Sequence, residues 1–282
     1  MVSVTENTSE LFEREFGGGP PLLLLHGLMA SGEMFRPVIE ALAAQHRLIV
    51  PDLRGHGRSA HLPGPYTTRQ MAADLGHLLD RLGLETVNVL GYSHGGAVAQ
   101  QFALDFPGRV RRLVLACTFA HNMLTRREHV EGFLTPWLFR LLGPRTIAET
   151  MVRSNAGGGP PLAPEVGRWL VDVLGLSGRA QMAAASHEMM AFDSRPRLKD
   201  IAAPTLVIAG AADEAVPIAH ARMLAAGIPH AELRIVEGGG HFLILTHPDE
   251  LMGLVKPWLE GDPLPLGALR PEASPPAPAI PA

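Results

Sequence analysis

Short apolar runs alternate along this chain with longer segments of helical periodicity, and this alternation restricts its fold more than any other feature. Six of the runs suit strands that are covered on both faces, because their apolar residues are continuous. They begin at Pro21, His46, Thr86, Arg109, Pro204 and Ala231. Four longer segments repeat their apolar residues every three or four positions, which is typical of helices that pack on a sheet. They are residues 32–45, 67–83, 94–106 and 247–260. The sequence therefore predicts an α/β protein with an open, mostly parallel sheet and helices on both faces.

One long segment interrupts this alternation. From about Thr118 to Arg195 no strand pattern is visible, and large apolar side chains are present at Trp137, Phe139, Trp169, Met189, Met190 and Phe192. We expect a helical insertion. The glycine and proline cluster AGGGPPLAP, which begins at Ala156, divides it in two and is either a hinge or, as we prefer, an exposed loop.

The segments define an expected domain organisation. Residues 1–117 form the first part of the core, residues 118–195 the insertion, and residues 196–261 the second part of the core. Residues 262–282 are rich in Pro and Ala and contain few apolar residues, so they are expected to be a flexible tail.

Composition excludes several classes of partner. Apolar residues make up 46% of the 282 residues and charged residues 18%, which is a globular balance. The net charge of −4, with no Lys/Arg-rich run, argues against binding to nucleic acid or to an anionic membrane. The first residues lack the pattern of a signal peptide, and no segment is long enough to span a membrane. We expect a cytoplasmic protein that acts on a small molecule.

Cofactor sites are not predicted. The single cysteine, Cys117, lies in an apolar run and is expected to be a core residue. His and acidic residues do not have the spacing of the familiar zinc motifs, so no metal is expected. Gly17 to Gly19 precede a strand instead of following one, which does not fit a phosphate-binding loop.

The most informative motif is G-x-S-x-G at Gly91, Ser93 and Gly95, between an apolar strand and an amphipathic helix. A serine at such a sharp turn needs small neighbours, because the chain passes close by on both sides. The N–H groups and the dipole of the following helix favour negative charge near the serine. This context predicts a nucleophilic serine.

A serine nucleophile needs a base and a group that orients the base. Asp213 follows the strand PTLVIAG, and His241 follows the strand AELRIVEG. Both positions lie just beyond the carboxyl ends of strands, where open α/β sheets build their sites. The chain order of serine, acid and histidine is the one expected for a nucleophile elbow.

Five motifs together resemble those of the α/β-hydrolase superfamily over about residues 10–260: HG at His26, DLRGHGRS from Asp52, GYSHGG from Gly91, GAADEAVP from Gly210 and GGGHF from Gly238. The resemblance is to the capped, serine-nucleophile branch that contains esterases and lipases, and it implies a helical cap inserted after the sixth strand. It further implies that Ser93 is the nucleophile, Asp213 the acid and His241 the base. The backbone N–H groups of Leu28 and His94 would form the oxyanion hole.

Other residues compete for these roles. Glu214 is the alternative acid, but the family pattern with Val216 and Pro217 selects Asp213. The ring of His94 is expected to matter less than its backbone N–H. His26 and His56 are expected to stabilise the oxyanion loop and a turn.

The resemblance implies a carboxylic ester hydrolase that works through an acyl-enzyme and needs no cofactor. Met29, Trp137 and Met189 are the candidate substrate-binding residues, and they suggest apolar esters of short to medium length. The large apolar residues of the insertion are equally compatible with ordinary packing. Relatives with similar triads act on lactones, thioesters, carbon–carbon bonds or cyanohydrins, act as perhydrolases, or sense ligands, and fold alone does not separate these functions.

Overall fold

Seven strands form a single sheet in the computed structural model, which describes residues 10–261. The spatial order is β1-β3-β2-β4-β5-β6-β7; β1 is antiparallel to β3 and every other neighbouring pair is parallel. All six predicted strands are present, and the predicted α/β fold is confirmed. In chain order the strands are β1 (Glu13–Phe16), β2 (Pro21–Leu25), β3 (Arg47–Pro51), β4 (Val87–Tyr92), β5 (Val110–Ala116), β6 (Thr205–Gly210) and β7 (Ala231–Val236).

The helices follow the expected periodic segments, with short additional ones. Polar caps define where two of them begin: the Thr67 side chain accepts the Gln70 N–H at the start of α2, and Thr125 forms a reciprocal capping box with Glu128 at the start of α4. In chain order the helices are α1 (Arg36–Ala43), α2 (Thr68–Arg81), α3 (His94–Asp105), α4 (Arg126–Leu142), α5 (Pro144–Arg153), α6 (Pro164–Leu174), α7 (Arg179–Met190), α8 (Ile218–Gly227), α9 (Leu243–Thr246) and α10 (Pro248–Glu260).

The central strand β2 shows why both faces of the sheet must be covered. Its residues from Leu22 to Leu25 are all fully buried. Leu22 and Leu24 pack in a cluster with residues of α1 and α10, whereas Leu23 and Leu25 pack in a second cluster with residues of α2 and α3. Each buried leucine contributes roughly 1.5–3 kcal/mol of transfer free energy. This rigid sheet supports the loops at its carboxyl edge.

Strand β1 was not expected, because its sequence EREF is mostly charged. Its charges have partners in the fold: Glu13 pairs with Arg81 at 2.9 Å, Glu15 pairs with Arg47 at 2.6 Å, and Arg14 pairs with Glu33. An antiparallel edge strand can be polar when its charges are paired in this way. Apolar patterning alone does not detect such a strand.

The insertion between β5 and β6 is helical, as expected, and contains α4 to α7. It follows the fifth described strand in chain order, whereas the family-based expectation placed it after the sixth. A two-residue bridge between His121 and Asp193 joins its two ends. The tail expected at 262–282 lies outside the described residues. Among residues 10–261, no helix combines the length and apolar character that crossing a membrane requires.

Candidate active site

The turn between β4 and α3 holds Ser93 in an unusual backbone conformation, with φ of 54° and ψ of −124°. The chain around it leaves no room for side chains. A Cβ atom on Gly91 would lie 2.5 Å from the carbonyl oxygen of Gly95, and one on Gly95 would lie 2.1 Å from that of Leu25. These contacts account for the glycines of the motif, because only glycine permits so close an approach of main chains. The strained turn presents the serine hydroxyl at the carboxyl edge of the sheet.

Three side chains from separate loops meet at this edge. The Nε2 atom of His241 lies 3.1 Å from Oγ of Ser93, and its Nδ1 atom lies 2.9 Å from Oδ2 of Asp213. The other oxygen of Asp213 accepts the backbone N–H groups of Ala215 and Val216, at 2.9 and 2.7 Å. With its acceptors used in this way, Asp213 orients the histidine so that Nε2 faces the serine hydroxyl. The arrangement can remove a proton from Ser93.

The electrostatic environment separates His241 from the neighbouring histidines. Burial lowers the pKa of His241, but the charge of Asp213 and its hydrogen bond together outweigh burial and raise the pKa above 6.5. Burial lowers the pKa of His26 to about 4 and those of His56 and His94 to about 3. These three rings are therefore neutral at pH 7 and poor proton acceptors.

His26 holds the loop that follows β2. Its Nε2 atom accepts the N–H of Leu53 at 2.9 Å, and its Nδ1–H donates to the carbonyl oxygen of Gly27 at 2.9 Å. His56 packs edge-on against His26, with ring centroids 5.2 Å apart, and donates to the carbonyl oxygen of Arg54 at 3.0 Å. Both contacts match the structural roles expected for these two histidines.

Leu28 and His94, the candidate oxyanion donors, both lie close to Ser93. A Cβ atom on Gly27 would be only 3.2 Å from Cβ of Ser93, so the loop that contains Leu28 runs beside Ser93. His94 is the first residue of α3, where a helix N–H has no intrahelical acceptor. The ring of His94 is fully buried.

Two further residues, Tyr92 and Cys117, lie at the site. Neither belongs to a pattern in the sequence that predicts a role there. The hydroxyl of Tyr92 donates to the carbonyl oxygen of His241 at 2.7 Å and accepts the N–H of Ile244 at 3.3 Å. The thiol of Cys117, which is buried as expected, and the ligand atoms of Asp213 and His241 lie within 4.8 Å of one another. Burial, together with the charge of Asp213, raises the pKa of the Cys117 thiol, so it stays protonated at neutral pH.

A narrow cavity of about 70 Å³ opens beside Ser93. Met29 lines it as expected, but Trp137 and Met189 do not. Trp137 is 54% exposed on α4, and Met189 packs against a separate cluster that contains Phe119 and Phe192. Size and apolar character do not reveal which face of a helix meets the site, so substrate binding by these two residues stays a prediction. The cavity is lined by Gly27, Leu28, Met29, Ala30, Met34, Tyr92, Ser93, Met151, Leu170, Leu174, His241, Phe242, Ile244 and Leu245.

Comparison with known proteins agrees with this architecture. The family described as "alpha/beta hydrolase fold" matches residues 20–147 and 178–248. The magnesium-chelatase 30 kDa subunit of Rhodobacter capsulatus is 35% identical and covers 86% of this chain and 88% of its own. The poly(3-hydroxyalkanoate) depolymerase of Ectopseudomonas oleovorans is 31% identical and covers 85% of this chain and 84% of its own.

A solved structure extends the comparison to three dimensions. The thermophilic esterase of Thermogutta terrifontis superposes with a TM-score of 0.79 at 29% identity, over 92% of this chain and 96% of its own. The names of these relatives differ, so what they share is the fold. The chain belongs to the α/β-hydrolase family and is a hydrolase.

Proposed function

We propose that this protein hydrolyses carboxylic esters through a Ser-His-Asp triad and an acyl-enzyme. The observation that carries the proposal is the continuous hydrogen-bond chain from Ser93 through His241 to Asp213, with distances of 3.1 and 2.9 Å. A base within hydrogen-bond reach of a serine, itself oriented by a buried carboxylate, is the arrangement that activates serine for acyl transfer. The raised pKa of His241 is consistent with an ion pair to Asp213 that strengthens when the ring is protonated.

The reaction proceeds in two halves. Oγ of Ser93 attacks the acyl carbonyl while Nε2 of His241 takes its proton, and the N–H groups of Leu28 and His94 stabilise the oxyanion. His241 then gives the proton to the leaving alkoxide, which departs as the alcohol. Water, deprotonated by His241, attacks the acyl-enzyme and releases the acid and free Ser93. Asp213 stabilises the charged imidazole in both halves.

The cavity supports a short to medium, uncharged acyl or alcohol group as substrate. Eight of its side chains are the aliphatic or thioether groups of Leu, Ile or Met, and those from the insertion are Met151, Leu170 and Leu174. No Asp, Glu, Lys or Arg residue lines it in the described chain. A charged substituent would lose its hydration there without gaining a partner. Residues 118–195, which supply three of these eight side chains, would act as the cap that sets chain-length preference.

Two of the similar proteins favour ester bonds over the other bonds handled by this fold. One is named as an esterase, and another as a depolymerase of poly(3-hydroxyalkanoate), which is a polyester. Their identities of 29% and 31% extend over most of both chains. Ester hydrolysis is therefore the reaction to test first.

The test is hydrolysis of p-nitrophenyl esters from acetate to dodecanoate by wild type, Ser93→Ala and a control, Ser154→Ala. Ser154 is an exposed serine at the end of α5. We expect wild type and Ser154→Ala to favour short or medium esters, and Ser93→Ala to lose about 10⁴-fold or more. Labelling by a fluorophosphonate, followed by mass spectrometry, should find the adduct on Ser93. Equal activity of wild type and Ser93→Ala would rule out this nucleophile.

A further inference from the structure

The glycine cluster of the insertion lies directly on the two loops that hold His241 and Asp213. The segment of residues 157–159, here called the triglycine loop, lies in the connection between α5 and α6. An exposed loop was expected there, but Gly157 and Gly158 are buried. The loop is therefore a packed part of the site, although no side chain of it is present to react.

Backbone hydrogen bonds join the triglycine loop to the candidate base. The carbonyl oxygen of Gly157 accepts the N–H of His241 at 2.7 Å, and it also receives the N–H of Glu214, next to Asp213, at 3.5 Å. On the other side, the carbonyl oxygen of His241 accepts the hydroxyl of Tyr92 at 2.7 Å. The main chain of His241 is thus held between the insertion and the sheet.

The approach of the main chains is so close that larger residues do not fit. A Cβ atom on Gly158 would lie 2.0 Å from the carbonyl oxygen of Ala212, and one on Gly159 would lie 2.6 Å from the backbone nitrogen of Gly240. In return, a Cβ atom on Gly240 would lie 2.1 Å from the carbonyl oxygen of Gly158. Gly158 and Gly159 also have φ near +70°, which disfavours residues with a side chain. Glycines on both the triglycine loop and the loop before His241 therefore allow the main chains of the insertion and the catalytic loops to pack in direct contact.

We propose that the triglycine loop is a positioning element, which fixes the main chain of His241 and so makes the reaction depend on the seating of the insertion on the core. The inference rests on the proposed function, since it assigns a role in the same reaction. Acyl transfer is sensitive to such placement, because a misplacement of about 1 Å can cost on the order of 10²-fold in rate. The insertion would then do more than enclose substrate, because the histidine reaches its working geometry only when the loop is in contact.

One side chain secures the loop itself. Nδ2 of Asn155 donates to the carbonyl oxygen of Gly159 at 2.9 Å, and the carbonyl oxygen of Asn155 accepts the N–H of Gly158 at 2.8 Å. Asn155 has φ of 51°, a value that asparagine and glycine tolerate better than other residues. Asn155→Gly therefore removes the side-chain hydrogen bond without adding backbone strain.

The decisive comparison is Gly158→Ala with Gly83→Ala. Both glycines have similar positive φ values, +69° and +65°, but a Cβ atom on Gly83 would meet no atom within 4 Å. The two substitutions therefore impose a similar backbone strain, and only the first disturbs the contact. We expect Gly158→Ala to lower kcat for a p-nitrophenyl ester about 10- to 100-fold with KM within about twofold. Gly83→Ala should stay within about twofold of wild type in both constants.

Amide hydrogen exchange of the peptide around His241 provides a readout that does not require turnover. Exchange at residues 238–242 should become at least about tenfold faster in Gly158→Ala and remain as in wild type in Gly83→Ala. Asn155→Gly, which is milder and serves if Gly158→Ala does not fold, should show about a threefold loss in kcat and an intermediate exchange rate.

The outcomes separate the two proposals. Unchanged kcat and unchanged exchange in both Gly158→Ala and Asn155→Gly would overturn the positioning role while leaving ester hydrolysis intact. A wild-type protein without Ser93-dependent ester hydrolysis would overturn the proposed function, and the exchange rates would still decide whether the loop holds His241. Equal losses in Gly158→Ala and Gly83→Ala would assign the effect to backbone strain and also overturn the positioning role.

Discussion

The central strands of the sheet and helix α4 of the insertion bury their apolar side chains to very different degrees. Strands β2, β4 and β6 are almost wholly buried, with helices on both faces. Helix α4 of the insertion buries only Gly132 and Phe139, and it leaves a long apolar face in solvent. That face consists of Val130, Phe133, Leu134, Trp137, Leu138, Leu141 and Leu142.

The sheet and the insertion also differ in what they contribute to the site. Ser93, Asp213 and His241 all lie on loops that leave strands of the sheet, so their relative positions follow from the fold. In the described structure the insertion meets the site at the cavity wall that contains Leu170 and Leu174, at the triglycine loop, and at Thr118, whose hydroxyl donates to the carbonyl oxygen of Ser93 at 2.6 Å. Under the two proposals, the chemistry belongs to the sheet edge, whereas substrate length and histidine placement depend on the insertion.

The largest expected effect concerns the residues at the edge of the sheet, and it tests the role of Asp213. Asp213→Asn keeps the shape of the acid but loses its charge, which favours the wrong tautomer of His241. We expect kcat to fall by about 10⁴-fold. The neighbouring Glu214→Gln is the control, because Glu214 makes no side-chain hydrogen bond to His241 in the described structure, and it should stay within about threefold. A larger loss in Glu214→Gln than in Asp213→Asn would reverse the assignment of the acid.

The site at the sheet edge could be predicted from the sequence because each of its residues has local markers. Ser93 is enclosed by glycines, and Asp213 and His241 each follow an apolar strand by a few residues. Parallel strands bring such positions to one edge whatever the remaining sequence does. Local sequence pattern and sheet topology together were sufficient to predict that these three side chains meet.

The contributions of the insertion could not be predicted in the same way. Met151, Leu170 and Leu174 reach the cavity because of how α5 and α6 pack, which helical periodicity does not determine. The glycines of the triglycine loop are required by Ala212 and Gly240, which are more than fifty residues away in the chain, so locally they read as an ordinary loop. Strand β1 was not predicted for a related reason, since the pairing of its charges is visible only in the folded structure.

Two leucines provide a direct test of the contrast in burial. Leu113 on β5 is fully buried, whereas Leu141 on α4 is 71% exposed. Leu113→Ala should lower the free energy of unfolding by about 2–5 kcal/mol, because it leaves a cavity in the core. Leu141→Ala should change it by less than about 0.5 kcal/mol. Chemical denaturation of both variants measures this, and a loss above about 2 kcal/mol in Leu141→Ala would show that the exposed face contributes to the stability of the protein itself.

A second matched pair tests whether the insertion sets chain-length preference. Leu174 lines the cavity and is 6% exposed, whereas Leu176, two residues later, is 60% exposed. Leu174→Ala should raise kcat/KM for a longer ester relative to acetate by about tenfold, since a methylene or two in an apolar pocket is worth about that much. Leu176→Ala should leave the ratio unchanged. If Leu174→Ala behaves like Leu176→Ala, the chain-length selection lies elsewhere.

The smallest expected effect is the position of the acidic limb in the pH profile, and it tests how strongly the sheet-edge residues are coupled. The charge and hydrogen bond of Asp213 outweigh burial and raise the pKa of His241 above 6.5. The ring must be neutral to accept the serine proton, so kcat/KM should fall as pH decreases through an apparent pKa above 6.5. His26 and His94, with pKa values of about 4 and 3, titrate too low to produce this limb.

In Asp213→Asn the residual activity should show the limb shifted to lower pH, because only the burial that lowers the pKa of His241 is left. A limb at the same pH in both proteins would mean that the Asp213 charge does not control the protonation of His241.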